Sequence, residues 1–322
     1  MSEETKETIL RQKYSQRDAF WSRIGEIMKD DQDVVIVVAD MSTPVFDKIR
    51  KEFSNRFFNV GIAEQNAVLV ASGLAMQGKK VFVYAIASFM VLRSYEQIRV
   101  ANSIMGIPIT IVGVGAGLSY DNAGPTHHLF EDIAVMRVLP NMTTYSITDN
   151  VMARKVAEMS IDMDTPNYVR LERHVEPDIY DKDTDFTNGF IEVRSGGDGC
   201  IISTGIMVRK SLKIAERLEN NGINLAVIDM HTIPCQESLF IEAIKGYSRL
   251  VTIEEHFLPG GMGSYVLEIL SDNSLHIDVK RFGLTEGWCY RYGGREDNHE
   301  YHGLHEENLI IEIEKYMKRK IN

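Results

Sequence analysis

The chain has 322 residues, 44% of them apolar and 25% charged, a mix that sustains about two soluble globular domains. Lys and Arg number 35 against 46 Asp and Glu, a net charge of −11, which argues against nucleic acid or an anionic membrane as the main partner. No apolar run approaches the ~20 residues that span a bilayer. The polar first 21 residues carry no signal-peptide core, and Cys200, Cys235 and Cys289 are too scattered for a disulfide framework or a metal site. A cytoplasmic protein is the expectation.

Short β-branched runs then alternate with stretches of helix length. Strands are predicted at 33–39, 57–60, 81–87, 109–114, 143–147 and 168–172. They are almost continuously apolar, as parallel strands covered on both faces are. Helices are predicted between them at 63–77, 94–105, 131–138 and 149–161, the last with Asp149 or Asn150 as N-cap. Residues 176–185 (EPDIYDKDTD) and 195–199 (SGGDG) read as a linker. Beyond it, strands at 200–203, 225–229, 250–254 and 276–282 alternate with helices at 207–219, 237–244 and 262–270, and a helix at 306–317 closes the chain. The expected architecture is two doubly wound α/β domains, 1–186 with a mostly parallel sheet and a smaller one over 187–322.

Three segments stand out for chemistry. In 57–66 (FFNVGIAEQN), a strand ends, Gly61 permits a tight turn and a helix opens with Glu64 in its first turn. Open α/β sheets hold ligands at such carboxyl ends of strands, although an acidic residue there also complements the helix dipole. In 85–99 (AIASFMVLRSYEQIR), Phe89, Leu92 and Tyr95 suit either a flat slot for a heteroaromatic ring or core packing at helical spacing. The Gly-rich loop in 113–132 (GVGAGLSYDNAGPTHHLFED) ends in His127 and His128. Adjacent histidines diverge, a poor metal geometry, but imidazoles suit proton exchange and the binding of phosphate or hydroxyl groups.

Two further glycine motifs read as structural. Gly197-Asp198-Gly199 followed by Asn220-Asn221 imitates a diphosphate–metal signature, yet the spacing is short and ENNG reads as a helix C-cap. Gly260-Gly261-Met262-Gly263 lacks the Lys-Ser/Thr of a Walker loop, so close helix–strand packing is the expected reason for it.

Taken in order, NVGIAEQN, ASF–L–SY, GLSYDNAGPTHH…ED and RVLPNM (137–142), then IEEHFLPGGMGS (253–264), resemble the pyrimidine-binding and carboxyl-terminal domains of the transketolase family. The resemblance implies thiamine diphosphate, with Mg, as cofactor. Glu64 would meet N1′ of the aminopyrimidine and favour the tautomer whose N4′ takes the C2 proton; Phe89 would stack on that ring, with Leu92 and Tyr95 completing the slot and Asp40 nearby. His127 would be catalytic beside the substrate, with His128 extending it, and Arg173 and Arg17 would bind sugar phosphate. The family's amino-terminal half, with its GDG…N motif for diphosphate and metal, would be a partner subunit, and self-association is implied as well. Leu92 stands where some members have an aromatic residue. Ala123 stands where many have an Asp that recognises a sugar hydroxyl, and a donor-site histidine is replaced near Gly115. The implied reaction moves a two-carbon ketol unit from a ketose phosphate to an aldose phosphate. The alternatives are a 2-oxoacid dehydrogenase beta-type or deoxyxylulose-phosphate-synthase-like subunit, and a non-catalytic stabilising subunit.

Overall fold

The computed structural model describes residues 14–284 and 287–319. The chain divides into two compact units: one runs to Ser119 and resumes over Met136–Thr184, the other takes Tyr120–Val135 and the chain from Asp185 onward.

In the first unit, strands β1 (Val34–Val38), β2 (Phe57–Asn59), β3 (Lys80–Ile86), β4 (Thr110–Val114), β5 (Thr143–Ser146) and β6 (Asn167–Leu171) lie in the order β5-β6-β4-β3-β1-β2. Every pairing among them is parallel. The chain leaves β1 for β2 on one side and then crosses to β3 on the other, so the strand order reverses at β1. Open sheets of this kind form a crevice beyond the strand ends at such a point.

Two helices of this unit are absent from the sequence expectation. Helix α1 (Gln16–Ile27) begins in the stretch read as a polar terminus; Ser15 caps it by accepting from the Asp18 amide, and Phe20, Trp21 and Ile24 are buried. Helix α2 (Pro44–Glu52) is capped by Thr43 and buries only Phe46 and Ile49. These few large rings replace a long apolar stripe. Trp21 meets Phe46 edge-on at 4.9 Å and Tyr84 at 5.1 Å, geometries that aromatic quadrupoles favour.

Helix α3 (Glu64–Ala75) follows β2, and α4 (Asn150–Met159) starts behind Asp149, whose Oδ1 accepts from the Met152 amide at 2.8 Å. The helix expected at 94–105 starts earlier and is wider. π-Helical turns over Phe89–Arg93 and Ile98–Ile104 flank a short α-helical turn, Tyr95–Gln97, and such bulged turns recur at functional sites. Buried Asn102 ties this segment to α3, its Nδ2 donating to Ser72 Oγ and to the Ile107 carbonyl, both at 3.1 Å.

The second unit orders β7 (Ile191–Arg194), β8 (Gly199–Ser203), β9 (Leu225–Asp229), β10 (Arg249–Phe257) and β11 (Asp278–Leu284) as β11-β10-β8-β9-β7. Its pairings are parallel except for the antiparallel β7–β9 edge. Strand β7, only four residues long, has no counterpart in the sequence expectation, and SGGDG is the β7–β8 turn rather than linker. A Cβ on Gly196 would meet the Leu225 carbonyl carbon at 2.2 Å. Helices α5 (Met207–Glu219), α6 (Glu237–Ile244), α7 (Met262–Asp272), α8 (Arg295–Tyr301) and α9 (Glu306–Lys318) complete the unit. Residues 120–135 group with it, whereas the expected first domain, 1–186, runs through them without a break. The cause is packing: the Phe130 carbonyl accepts from the Phe257 amide at 2.8 Å, and Ile133 joins a core with Ile202, Ile228 and Phe240. No described helix is long and apolar enough to cross a membrane.

Candidate active site

The carboxyl ends of β1, β2 and β3 carry the first group of residues. Asn59 Oδ1 accepts from the backbone amides of Asp40 at 3.1 Å and Gly61 at 2.9 Å, and its Nδ2 donates to Asp40 Oδ1 at 3.2 Å. Gly61 has φ 78°, a conformation open to glycine without a Cβ penalty, and Asp40 is held at φ 49°. That turn starts α3 abruptly. Ala63 provides no side-chain cap, and Glu64, the first helical residue, is 3% exposed.

Glu64 does not face water or its own helix. Arg93 Nη1 donates to Glu64 Oε2 at 2.7 Å, and the same guanidinium lies 4.6 Å from the Phe89 ring centroid. The Arg93 carbonyl in turn accepts from Gln65 Nε2 at 3.1 Å. Phe89 and Tyr95 are half-buried and Leu92 is 40% exposed, so none of this trio is core. Burial raises the Tyr95 phenol above its ordinary value. A buried carboxylate beside an aromatic face accepts N–H from a planar group lying on that face. Arg93, planar and rich in N–H donors, makes both contacts at once, so the site fits a nitrogen heteroaromatic ring. Arg93 is absent from the residues singled out in the sequence, although its spacing of four from Phe89 signals a shared helical face.

The part of the glycine loop from Tyr120 onward forms a second group, within the second unit. The rings of Tyr120 and His127 lie 5.8 Å apart, and Thr126 Oγ1 is 3.0 Å from His127 Nδ1. His128 turns the other way: 2% exposed, it lies 5.4 Å from the Phe130 ring. Burial lowers its pKa and keeps the imidazole neutral. Asp121 fixes the loop by accepting from the Arg295 amide at 3.1 Å. Behind it, Glu255 Oε1 binds Arg295 Nε at 3.1 Å and His299 Nε2 at 2.6 Å. This support, on α8 and β10, is likewise outside the sequence expectation; the glycine pair before Arg295 is its one sequence signal.

The two expected phosphate-binding arginines sit on neighbouring segments, joined where the Glu172 amide donates to Gln16 Oε1 at 2.9 Å, and each has its own partners. Arg173 Nε donates to the Ser119 carbonyl at 2.7 Å, and Glu172, hydrogen-bonded to Ser119 Oγ, accepts from the Arg173 amide at 2.7 Å. Arg17 makes a bidentate pair with Asp18 at 2.9 and 3.3 Å, and Thr43 Oγ1 also donates to that carboxylate at 2.9 Å.

The two remaining glycine motifs are local structure. Asp198 Oδ2 accepts from the Asn224 amide at 2.7 Å, and the Asn224 carbonyl accepts from the amides of Gly197 and Asp198, both at 3.0 Å. At the start of α7, Glu254 accepts from the amides of Met262 at 2.7 Å and Gly263 at 2.9 Å. The chain's own carboxylate thus takes the place a phosphate would need. Among the described residues, no group of three His, Cys, Asp or Glu side chains is arranged to hold a metal ion.

Residues 12–176 match the family profile "Transketolase, pyrimidine binding domain", and residues 190–309 match "Transketolase, C-terminal domain". The chain is 32% identical over 291 residues to an apulose-4-phosphate transketolase subunit of Actinobacillus succinogenes, covering 89% of this chain and 94% of that protein. It is 30% identical over 308 residues to the 6-deoxy-6-sulfo-D-fructose transketolase subunit SqwH of a Clostridium species, covering 94% and 95%. Among solved structures, a split-gene transketolase described as an inactive beta4 tetramer superposes with a TM-score of 0.84 at 32% identity, over 95% of this chain and 99% of that one. Two α/β units, a carboxylate buried at a strand-order reversal and both family profiles agree: the chain belongs to the transketolase family, as a transferase subunit made of its pyrimidine-binding and C-terminal domains.

Proposed function

We propose that this chain supplies the pyrimidine end of a thiamine diphosphate site and, with a separate amino-terminal subunit, transfers a two-carbon ketol unit from a ketose phosphate to an aldose phosphate. The observation that carries this reading is the Glu64 carboxylate buried beside the Phe89 ring, both engaged by one planar guanidinium. When bound, thiamine diphosphate supplies the carbon nucleophile.

The chain's own residues then have distinct tasks. Glu64 would share a proton with the aminopyrimidine at N1′, and Phe89 would hold that ring by stacking, with Leu92 and Tyr95 completing the slot. Asp40, pinned by Asn59, lines the same strand ends. His127, with Tyr120 against it, exchanges protons with substrate hydroxyls as a general acid–base group. His128 we assign to the support of that loop, because an imidazole 2% exposed backs the loop rather than meeting substrate. Arg173 and Arg17 serve sugar phosphate. The GDG…N motif and Mg belong to the partner subunit, and self-association of this chain completes the assembly. The two similar transketolase subunits are named for different sugars, apulose-4-phosphate and 6-deoxy-6-sulfo-D-fructose, so the assay spans a panel of donors and acceptors.

The test is assembly of this chain with a candidate amino-terminal subunit, followed by a coupled assay of ketol transfer over a panel of ketose and aldose phosphates. Turnover that requires both chains, thiamine diphosphate and Mg is the expected result. Pyruvate decarboxylation without ketose cleavage would overturn the reading.

A further inference from the structure

We propose that Arg93 is a built-in surrogate for the cofactor's aminopyrimidine, occupying its seat in the cofactor-free chain and leaving when the ring arrives. The inference rests on the reading of Glu64 and Phe89 as that seat, and adds that cofactor uptake is an exchange of one planar nitrogen group for another.

Geometry carries the argument. The Arg93 guanidinium makes a 2.7 Å hydrogen bond to Glu64 Oε2 and lies 4.6 Å from the Phe89 ring centroid. Those are the two contacts a stacked aminopyrimidine would need, an N–H to the carboxylate and a face on the ring. A guanidinium is a flat, delocalised cation with N–H donors in a fixed fork, and it stacks on aromatic faces as an ammonium cannot. On this reading the two groups compete for one carboxylate and one aromatic face.

Burial explains why a surrogate is useful. Glu64 is 3% exposed whereas the Arg93 side chain is 46% exposed. The acceptor is fixed inside the fold, and the donor has a solvent route out. A buried carboxylate left without a partner is costly, so the pair keeps the seat formed before cofactor arrives. The affinity of any ligand for a site already engaged is reduced by the fraction of time the site is taken.

Calorimetric titration of thiamine diphosphate, with Mg, into the assembled two-subunit enzyme tests this directly. Arg93→Met keeps the aliphatic stem and removes the planar cation. Its cofactor affinity is expected to rise about tenfold, the scale of one charge-assisted hydrogen bond. Its cofactor-free melting temperature is expected to fall by ~2–4 °C, while the loaded enzyme melts as the wild type does. Arg93→Lys, which keeps the charge without the plane, should fall between. Unchanged or weakened affinity in Arg93→Met would overturn the surrogate role while leaving the functional reading intact. Failure of the assembled wild type to bind thiamine diphosphate at all would sink both.

Discussion

Two buried glutamates stand beside helix starts, and they are used in opposite ways. Glu254, on β10, is fully buried, and its two oxygens accept from the amides of Met262 and Gly263 at the start of α7. Glu64 opens α3 itself, behind an alanine that provides no cap, and meets a half-exposed guanidinium. In the first case the carboxylate is satisfied by backbone that does not move, and a helix dipole is neutralised. In the second, the partner is a side chain that a ligand can replace. Burial is shared by both residues; the exposure of the partner, backbone in one case and a half-exposed side chain in the other, separates scaffold from site.

The largest effect is expected when this contrast is tested by exchange of each acid for its amide. Glu64→Gln should lower kcat/KM of the assembled enzyme by roughly 10²–10⁴, the range of a general acid–base contribution. Its unfolding free energy in urea should stay within ~1 kcal/mol of wild type, because the amide keeps an acceptor for Arg93 and the weakened partner is half exposed. Glu254→Gln should do the reverse, losing about 1–3 kcal/mol of stability through the weakened cap with turnover per folded molecule unchanged. A Glu254→Gln enzyme of normal stability and collapsed activity would break the comparison.

Glycines sharpen the same distinction at smaller scale. A Cβ on Gly261 would approach Glu254 Oε2 to 2.2 Å and His256 Nδ1 to 2.7 Å. Gly261→Ala therefore displaces the cap and should cost about 1–3 kcal/mol, the usual penalty of overpacking. At Gly61 a Cβ would meet nothing within 4 Å, and only the positive φ of 78° resists substitution. Gly61→Ala should cost ~1 kcal/mol in stability, read from urea midpoints of the two variants side by side.

The legible parts of the molecule are those in which local chemistry and fold coincide. FFNVGIAEQN carries a strand, a glycine turn and an acidic first turn in ten residues, so Glu64 and its place at a strand end can be read directly. The helices Met207–Glu219 and Glu237–Ile244 match their expected limits because their apolar residues repeat at the helical period. Helices α1 and α2 are not legible: their stability rests on Trp21, Phe46 and Tyr84 meeting across the fold, which no window of sequence shows. Arg93 is hidden for a related reason. A charged residue at an exposed position reads as solvated until the structure puts Glu64 and Phe89 on either side of it. The grouping of Tyr120–Val135 with the second unit likewise depends on partners more than 100 residues away, such as Phe257 and Arg295.

Acid should expose the smallest of these differences, in the second unit's buried histidines. Burial pushes His231 down to about 3 and also lowers His128 and His302. For such groups the unfolded chain takes up the proton first. Their contribution is therefore fully present above the unfolded value near 6.5 and is lost as pH falls toward the folded value. Each fully shifted histidine steepens the fall by ~1.4 kcal/mol per pH unit below about 6. His299 has the opposite sign: burial works against its charge, but its hydrogen bond to Glu255 and the nearby Glu296 carboxylate prevail and raise it. Glu296, lowered to about 2 mainly by the neighbouring His299 and then by Lys210, titrates below this window. Urea unfolding at pH 7, 6 and 5 should show wild type losing stability faster than His231→Leu, by about 1 kcal/mol between pH 6 and 5. Parallel slopes would mean that His231 is already hydrated in the folded chain, and that burial alone does not keep its ring neutral.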